Sequence, residues 1–134
     1  MKNLRNLDQV PRGAPVYVYG AGKAGATLLR ALRRQPGVVA AGFIDSFKSG
    51  SAEGLPVIAL TDFAQNRPAD AQVIIASMYV NEIAEQLDQQ GVHDFYNGYP
   101  LAMALIDQGV LKKNLILIGA VLAVLAAAAA WFLV

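Results

Sequence analysis

The stretch that decides the fold is Gly20-Ala21-Gly22-Lys23-Ala24-Gly25. It follows a β-rich run at residues 16–19 and precedes residues 26–32, in which the leucines have helical spacing. In such a strand–turn–helix context the first glycine permits a tight turn, the second lets a pyrophosphate approach the backbone, and the third lets the helix lie close to the strand. The helix N-terminus then presents N–H groups to phosphates. The spacing therefore predicts a dinucleotide-binding turn.

An acidic residue follows this turn at the distance that the same fingerprint requires. Asp45 stands about 20 residues further on, at the end of a second apolar run, residues 38–44. A carboxylate at this place accepts hydrogen bonds from a ribose diol, which favours NAD over NADP. The nearby Lys48 could pair with a 2′-phosphate, so NADP stays an alternative. The alternative is a fold that keeps the glycine turn for packing and has lost its ligand.

Strand-like and helix-like segments alternate along the chain, which predicts an α/β fold with a doubly wound, parallel, Rossmann-like sheet of four to five strands. The expected spatial order is the short strand near residues 55–60, the second strand, the first strand, a buried strand at 73–76, and the last strand at 94–97. We expect a polar arm at 1–15, the nucleotide-binding domain at 16–109, and an anchor at 110–134. Gly109 is expected to break the helix that begins near Pro100.

The carboxyl ends of parallel strands meet at one edge of the sheet, where ligands of such folds bind. That edge is predicted to collect the glycine turn, Asp45 with Ser46, and Ser77 with Tyr79. Ser77 contacts a ligand there or caps the following helix. Lys23, inside the turn, approaches a phosphate or points to solvent.

No catalytic residue and no metal site are predicted. His93 is the single histidine, and it precedes the last strand, which places it at the amino edge, away from the expected pocket. Cysteine is absent, so thiolate metal sites and thiol nucleophiles are excluded. A net charge of +1 gives no electrostatic case for binding nucleic acid.

The C-terminal segment 114–134 carries no charged residue. A helix of this length reaches about 30 Å, which matches a bilayer core. The segment has no polar face, so it does not resemble an amphipathic surface helix. The alternative is a buried core helix, but a domain this small can hardly enclose a helix that is apolar on all sides. The sequence thus predicts one transmembrane helix with the lipid bilayer as its partner.

Charge next to this segment predicts its orientation. Lys112 and Lys113 precede it directly, and the positive-inside rule then keeps the preceding domain in the cytoplasm. The N-terminal residues 1–10 lack the continuous apolar core of a signal peptide. We expect a single-pass protein of the inner (cytoplasmic) membrane.

Four segments together resemble a known family. They are residues 16–25, 40–45, 55–58 and 73–77, and they are similar to the nucleotide-binding region of membrane-associated nucleoside-diphosphate-sugar epimerase/dehydratases of polysaccharide biosynthesis. The resemblance covers roughly residues 15–98 and implies a module that binds a nucleotide or a nucleotide-sugar. Tyr79, Tyr96 and Tyr99 have no lysine four residues on, so none of them forms the Tyr-x-x-x-Lys pattern of the complete enzymes.

Three functions follow from this pattern. The first is a membrane-anchored accessory or regulatory module that binds NAD, a related dinucleotide or a nucleotide-sugar beside a glycan-synthesis enzyme. The second is a component of an NAD-dependent oxidoreductase or epimerase that a partner completes. The third is a ligand-free membrane scaffold, and an oligomer is compatible with each.

Overall fold

The computed structural model describes residues 1–133. Within that range a mixed sheet of seven strands is combined with four α-helices and one short 3-10 turn. The strands are β1 (Lys2–Asn3), β2 (Pro15–Tyr19), β3 (Val39–Ile44), β4 (Gly50–Ala52), β5 (Leu55–Ile58), β6 (Gln72–Ile75) and β7 (Phe95–Asn97). The helices are α1 (Lys23–Arg33), α2 (Leu60–Asn66), α3 (Val80–Gln89) and α4 (Tyr99–Leu133).

The strand order is β1-β7-β6-β2-β3-β5-β4, and every neighbouring pair except β4–β5 is parallel. The predicted α/β class and the order of the five inner strands are therefore confirmed. The sheet has two strands more than predicted, one at each edge. β1 has two exposed residues, and β4 comes from a Gly/Ser-rich loop, so neither has a hydrophobic pattern of its own. Their neighbours in the sheet define them.

Two apolar layers cover the two faces of the sheet. Helices α1 and α4 pack together on one face, over a cluster centred on Leu28, Leu29 and Leu32. Helices α2 and α3 cover the other face, over Phe63 and Leu87. Parallel strands covered on both faces form a core in which the strand residues are buried from either side.

The N-terminal segment, expected to be a polar arm, belongs to this core. Leu4 and Val10 are buried beneath α1, and β1 adds to the edge of the sheet beside β7. The backbone N–H of Leu4 donates to the carbonyl of Asn97 at 2.8 Å. Because mostly polar residues separate Leu4 from Val10, the sequence of this segment shows no continuous apolar run. Both residues are nevertheless buried against segments that are distant in the chain.

Helix α4 continues without interruption from Tyr99 to Leu133, so the predicted break at Gly109 is wrong. One glycine costs a helix about 1 kcal/mol relative to alanine, and the strong helix formers on both sides outweigh that cost. Leu101 and Ala102 are buried against the domain, whereas the helix is exposed from Asp107 to Phe132. This helix is long and apolar enough to cross a membrane.

Candidate functional site

A cleft of about 490 Å³ opens at the carboxyl edge of the sheet, where β2, β3 and β6 end beside α3. Its lining residues come from those strand ends and from one face of the helix. They are Tyr19, Gly20, Asp45, Ser46, Phe47, Ser77, Tyr79, Glu82, Ile83 and Gln86. This is the topological position at which open α/β sheets bind ligands.

The structure brings some of the predicted site residues together and separates others. Gly20, Asp45, Ser46 and Ser77 line the cleft. The rest of the turn, residues 21–25, does not line it, because the turn leads into the start of α1, which packs on the opposite face of the sheet. The predicted residues thus form two adjoining parts, a cleft and a helix N-terminus.

The structure requires glycine to different degrees at the three glycine positions of the turn. Gly20 has φ = +111°, and a Cβ there would lie 3.1 Å from the carbonyl oxygen of Ala76. A Cβ on Gly25 would collide with the carbonyl oxygen of Gly20, so the closeness of α1 to the strand end excludes any side chain. A Cβ on Gly22 would meet nothing within 4 Å. The fold therefore requires the first and third glycines and not the second.

Within residues 1–133, no side chain caps the N-terminus of α1. Gly22 is the N-cap residue, and the first turn contains no acidic residue. The N–H groups of Lys23, Ala24 and Gly25 consequently have no intrahelical acceptor. Together with the positive end of the helix dipole they form a suitable environment for an anionic group.

Asp45 ties the loop after β3 to the glycine turn. Its Oδ2 accepts a hydrogen bond from the Ala21 N–H at 2.8 Å, and its Oδ1 accepts from the N–H groups of Phe47 and Lys48 at 2.8 and 2.9 Å. The Lys48 Nζ donates to the Ala21 carbonyl at 3.3 Å. The backbone N–H and the backbone carbonyl of Ala21 are thus both hydrogen-bonded, and the Asp45 carboxylate holds the turn in place.

Burial by itself raises the pKa of Asp45, but the hydrogen bonds from Ala21, Phe47 and Lys48 and the Lys48 ammonium together outweigh it and lower the pKa. A carboxylate with a lowered pKa contributes stability above its unfolded pKa of about 4 and loses it as the pH falls through the folded value.

We therefore expect Asp45→Asn to destabilise the protein by about 1–2 kcal/mol at neutral pH, because an amide supplies only one acceptor oxygen in place of two. The difference from wild type should shrink as the pH falls below about 4, where the wild-type carboxylate takes up its proton. Denaturant unfolding at a series of pH values measures this. A difference that stays constant down to pH 2 would exclude an ionised carboxylate as its source.

A tyrosine at the end of β2, which no sequence motif marks as a site residue, connects the two sides of the cleft. The Tyr19 hydroxyl lies 3.1 Å from Ser46 Oγ and donates to Gln86 Oε1 at 3.4 Å. Tyr19 is only 3% exposed, so its ring forms the floor of the cleft. The signal in the sequence was its position directly before Gly20, at the end of β2.

Four further lining residues were also missed as site residues: Phe47, Glu82, Ile83 and Gln86. Glu82 is exposed, yet its spacing of four residues from Gln86 places both residues on the side of α3 that lines the cleft. Phe47 is 99% exposed and Tyr79 is 62% exposed, which places two aromatic rings at the mouth of the cleft.

Ser77, Lys23 and His93 lie in three different surroundings. Ser77 Oγ accepts a hydrogen bond from the Tyr79 N–H at 3.2 Å just before α3, as a capping residue does, while the residue also lines the cleft. Lys23 is exposed at the first position of α1. His93 lies in the connection before β7, and its Nδ1 is 2.9 Å from Asp88 Oδ1.

The described residues contain no group of three or more His, Cys, Asp or Glu side chains that could hold a metal ion.

No known protein family and no curated protein matches this sequence. Among solved structures, the chain is similar to the acetyltransferase domain of PglB from Neisseria gonorrhoeae FA1090 in complex with acetyl coenzyme A. The sequence identity is 25% and the TM-score is 0.45. The similarity covers 60% of this chain and 41% of that chain. A likeness this low assigns neither a family nor a ligand. The resemblance to epimerase/dehydratases is not confirmed, and NAD is not supported.

Proposed function

We propose that this protein is a membrane-anchored module that binds a nucleotide-containing ligand, a dinucleotide or a nucleotide-sugar, at the carboxyl edge of its sheet. One observation carries the proposal: the cleft adjoins an uncapped helix N-terminus across Gly20. A volume of about 490 Å³ falls within the range of small-molecule sites, about 300–1,000 Å³.

The two parts of the site suit the two parts of such a ligand. The N–H groups at the start of α1 and the adjacent Lys23 suit phosphates. The cleft suits a nucleoside, since Phe47 and Tyr79 offer aromatic surface at its mouth while Ser46, Gln86 and Glu82 offer hydrogen-bonding groups. We retain the predicted residues 20–25, Asp45, Ser46 and Ser77 as the proposed binding set, with Tyr19 and Gln86 added.

In this proposal Asp45 has a different role from the one that its position in the fingerprint predicts. Its Oδ1 already accepts two backbone hydrogen bonds, and its Oδ2 accepts one. One lone pair on Oδ2 remains for a ribose hydroxyl. The main role of Asp45 is therefore to hold the turn in place, and its contact with the ligand is an additional role.

The proposed module binds without turning its ligand over. Asp45 has a lowered pKa, which makes it a weak general base near neutral pH. His93, the single histidine, lies outside the cleft. Partner enzymes in envelope glycan metabolism, suggested by the resemblance of residues 15–98, would supply the chemistry.

In the proposed arrangement, the part of α4 beyond Lys113 anchors the protein in the membrane, and the domain lies in the cytoplasm. The uncharged segment and the two lysines before it support this arrangement. The unit that binds and the unit that anchors share α4, because its first two turns belong to the core of the domain.

Gly22→Val tests the binding site with little effect on the fold. A Cβ there meets no protein atom within 4 Å, and the branched side chain that it carries would occupy the approach to the α1 N-terminus. We expect at least a hundredfold loss of affinity in calorimetry of the full-length protein in detergent with NAD, NADP and several nucleotide-sugars. His93→Ala, which alters a residue outside the cleft, should bind as wild type does. Well-folded wild type without saturable binding of any of these compounds would favour the ligand-free scaffold.

A further inference from the structure

The direction of α4 relative to the sheet determines which edge of the domain faces a membrane. The helix starts at the carboxyl end of β7, where the Gly98 N–H donates to the Ile75 carbonyl at 2.8 Å. Its first two turns stay on the sheet face, since Leu101 and Ala102 are buried and Leu105 packs on the same cluster. A helix that starts at the carboxyl edge and remains over the sheet must run toward the amino edge.

The helix then leaves the domain without a break. Residues 99–106 span about 12 Å along the helix, whereas the five residues of β2 span about 16 Å. Another 12 Å of helix separates Ile106 from Asn114, where the uncharged segment begins. The amino edge therefore lies about 8 Å above the start of that segment, close to the thickness of a lipid headgroup layer.

The amino edge is basic on the side where α4 leaves. Arg12 donates to the Pro36 carbonyl at 2.9 Å and so lies beside the C-terminal end of α1. That end carries Arg30, Arg33 and Arg34. Within residues 1–133, Glu53 is the one acidic residue that forms an ion pair with this group: its Oε1 lies 2.7 Å from Arg30 Nη1, and its backbone carbonyl accepts a hydrogen bond from Arg33.

The neighbouring surfaces differ in charge. On α4 itself, Lys112 and Lys113 continue the basic surface, and Asp107 opposes it. The α2–α3 side of the amino edge has Arg67 and His93 together with three acidic residues, Asp70, Asp88 and Asp94. The excess of positive charge is thus confined to the side of the sheet that α1 and α4 cover.

We propose that this basic surface, formed by Arg12, Arg33, Arg34, Lys112 and Lys113, contacts anionic lipid headgroups, so that the ligand cleft opens away from the bilayer. The inference rests on the proposed anchor. An anionic leaflet attracts basic residues within a Debye length, about 8 Å at physiological salt. The amino edge lies about 8 Å from the start of the uncharged segment and is therefore within this range of the headgroups. The cleft, at the opposite edge, is then accessible to soluble ligands and enzymes.

The absence of cysteine from the chain makes a direct test simple. Full-length Gln35→Cys and Phe47→Cys variants are each labelled with a fluorophore and reconstituted into vesicles that contain a headgroup-attached acceptor dye. Residue 35 follows α1 at the amino edge, and residue 47 lies at the mouth of the cleft. In vesicles with 30% anionic lipid we expect clearly stronger energy transfer from residue 35 than from residue 47.

The charge dependence is tested in the same assay. Arg34→Gln removes one basic charge that makes no side-chain hydrogen bond or ion pair within residues 1–133, and Arg5→Gln removes one beyond the carboxyl end of β1. Arg34→Gln should shift the equilibrium away from headgroup contact by about fivefold in anionic vesicles, and Arg5→Gln should not shift it. Equal or reversed transfer from the two labels, in protein that resists carbonate extraction, would overturn the inference and leave the anchor intact. Protein that carbonate extracts would contradict the anchor, and calorimetry tests nucleotide binding separately.

Discussion

Gly25→Ala should destabilise the protein by about 3 kcal/mol, the upper end of the usual cost of overpacking and a large part of the stability of a small domain. The added methyl group would collide with the carbonyl oxygen of Gly20 and approach its carbonyl carbon to 2.8 Å. The obstacle is backbone, and it cannot move aside by changing a rotamer. Relief requires α1 to move away from the strand end, which would open the core around Leu28 and Leu29.

Gly22→Ala is the matched control, three residues away in the same turn. Its methyl group would meet no atom within 4 Å, so the cost should be at most about 1 kcal/mol, from the poorer N-cap. Thermal unfolding of the full-length protein in detergent, followed by near-ultraviolet circular dichroism, compares the two variants. Similar losses of stability would contradict the close approach of α1 to Gly20.

The second large effect concerns the position of a truncation within α4. The full-length protein should remain in the membrane fraction after carbonate and high-salt washes, because residues 114–132 of α4 are exposed and largely apolar, and contact of that surface with water is unfavourable. A chain that ends at Lys113 should be soluble and folded, since it keeps the buried Leu101 and Ala102.

A chain that ends at Gly98 should instead fail to fold. It loses the two buried residues and the contact of α4 with α1, and full burial of one leucine contributes about 1.5–3 kcal/mol. Expression, solubility and circular dichroism of the two truncated chains test the difference. A well-folded chain that ends at Gly98 would show that α4 serves only as an anchor. A full-length chain found in the soluble fraction without detergent would refute the anchor.

The inner part of the sheet was predictable because its signals are local. Buried parallel strands have continuous apolar runs, and Gly20 and Gly25 answer steric demands that arise within one strand–turn–helix unit. The edge strands β1 and β4 were missed since their residues carry no such pattern, and pairing with β7 and β5 defines them. Of the residues that the sequence proposes for the site, Asp45 and Ser77 line the cleft, whereas Tyr19 and Gln86 become neighbours only when α3 lies beside the end of β2.

The sequence by itself determined the α/β class, the order of the inner strands and the presence of one long apolar helix, because hydrophobic periodicity and glycine spacing report on short stretches of chain. The tertiary structure alone decided that Leu4 and Val10 belong to the core, that Gly109 lies within a continuous helix, and that three backbone N–H groups engage Asp45. Packing between distant segments supplies the free energy for each of these features, and no local pattern contains it.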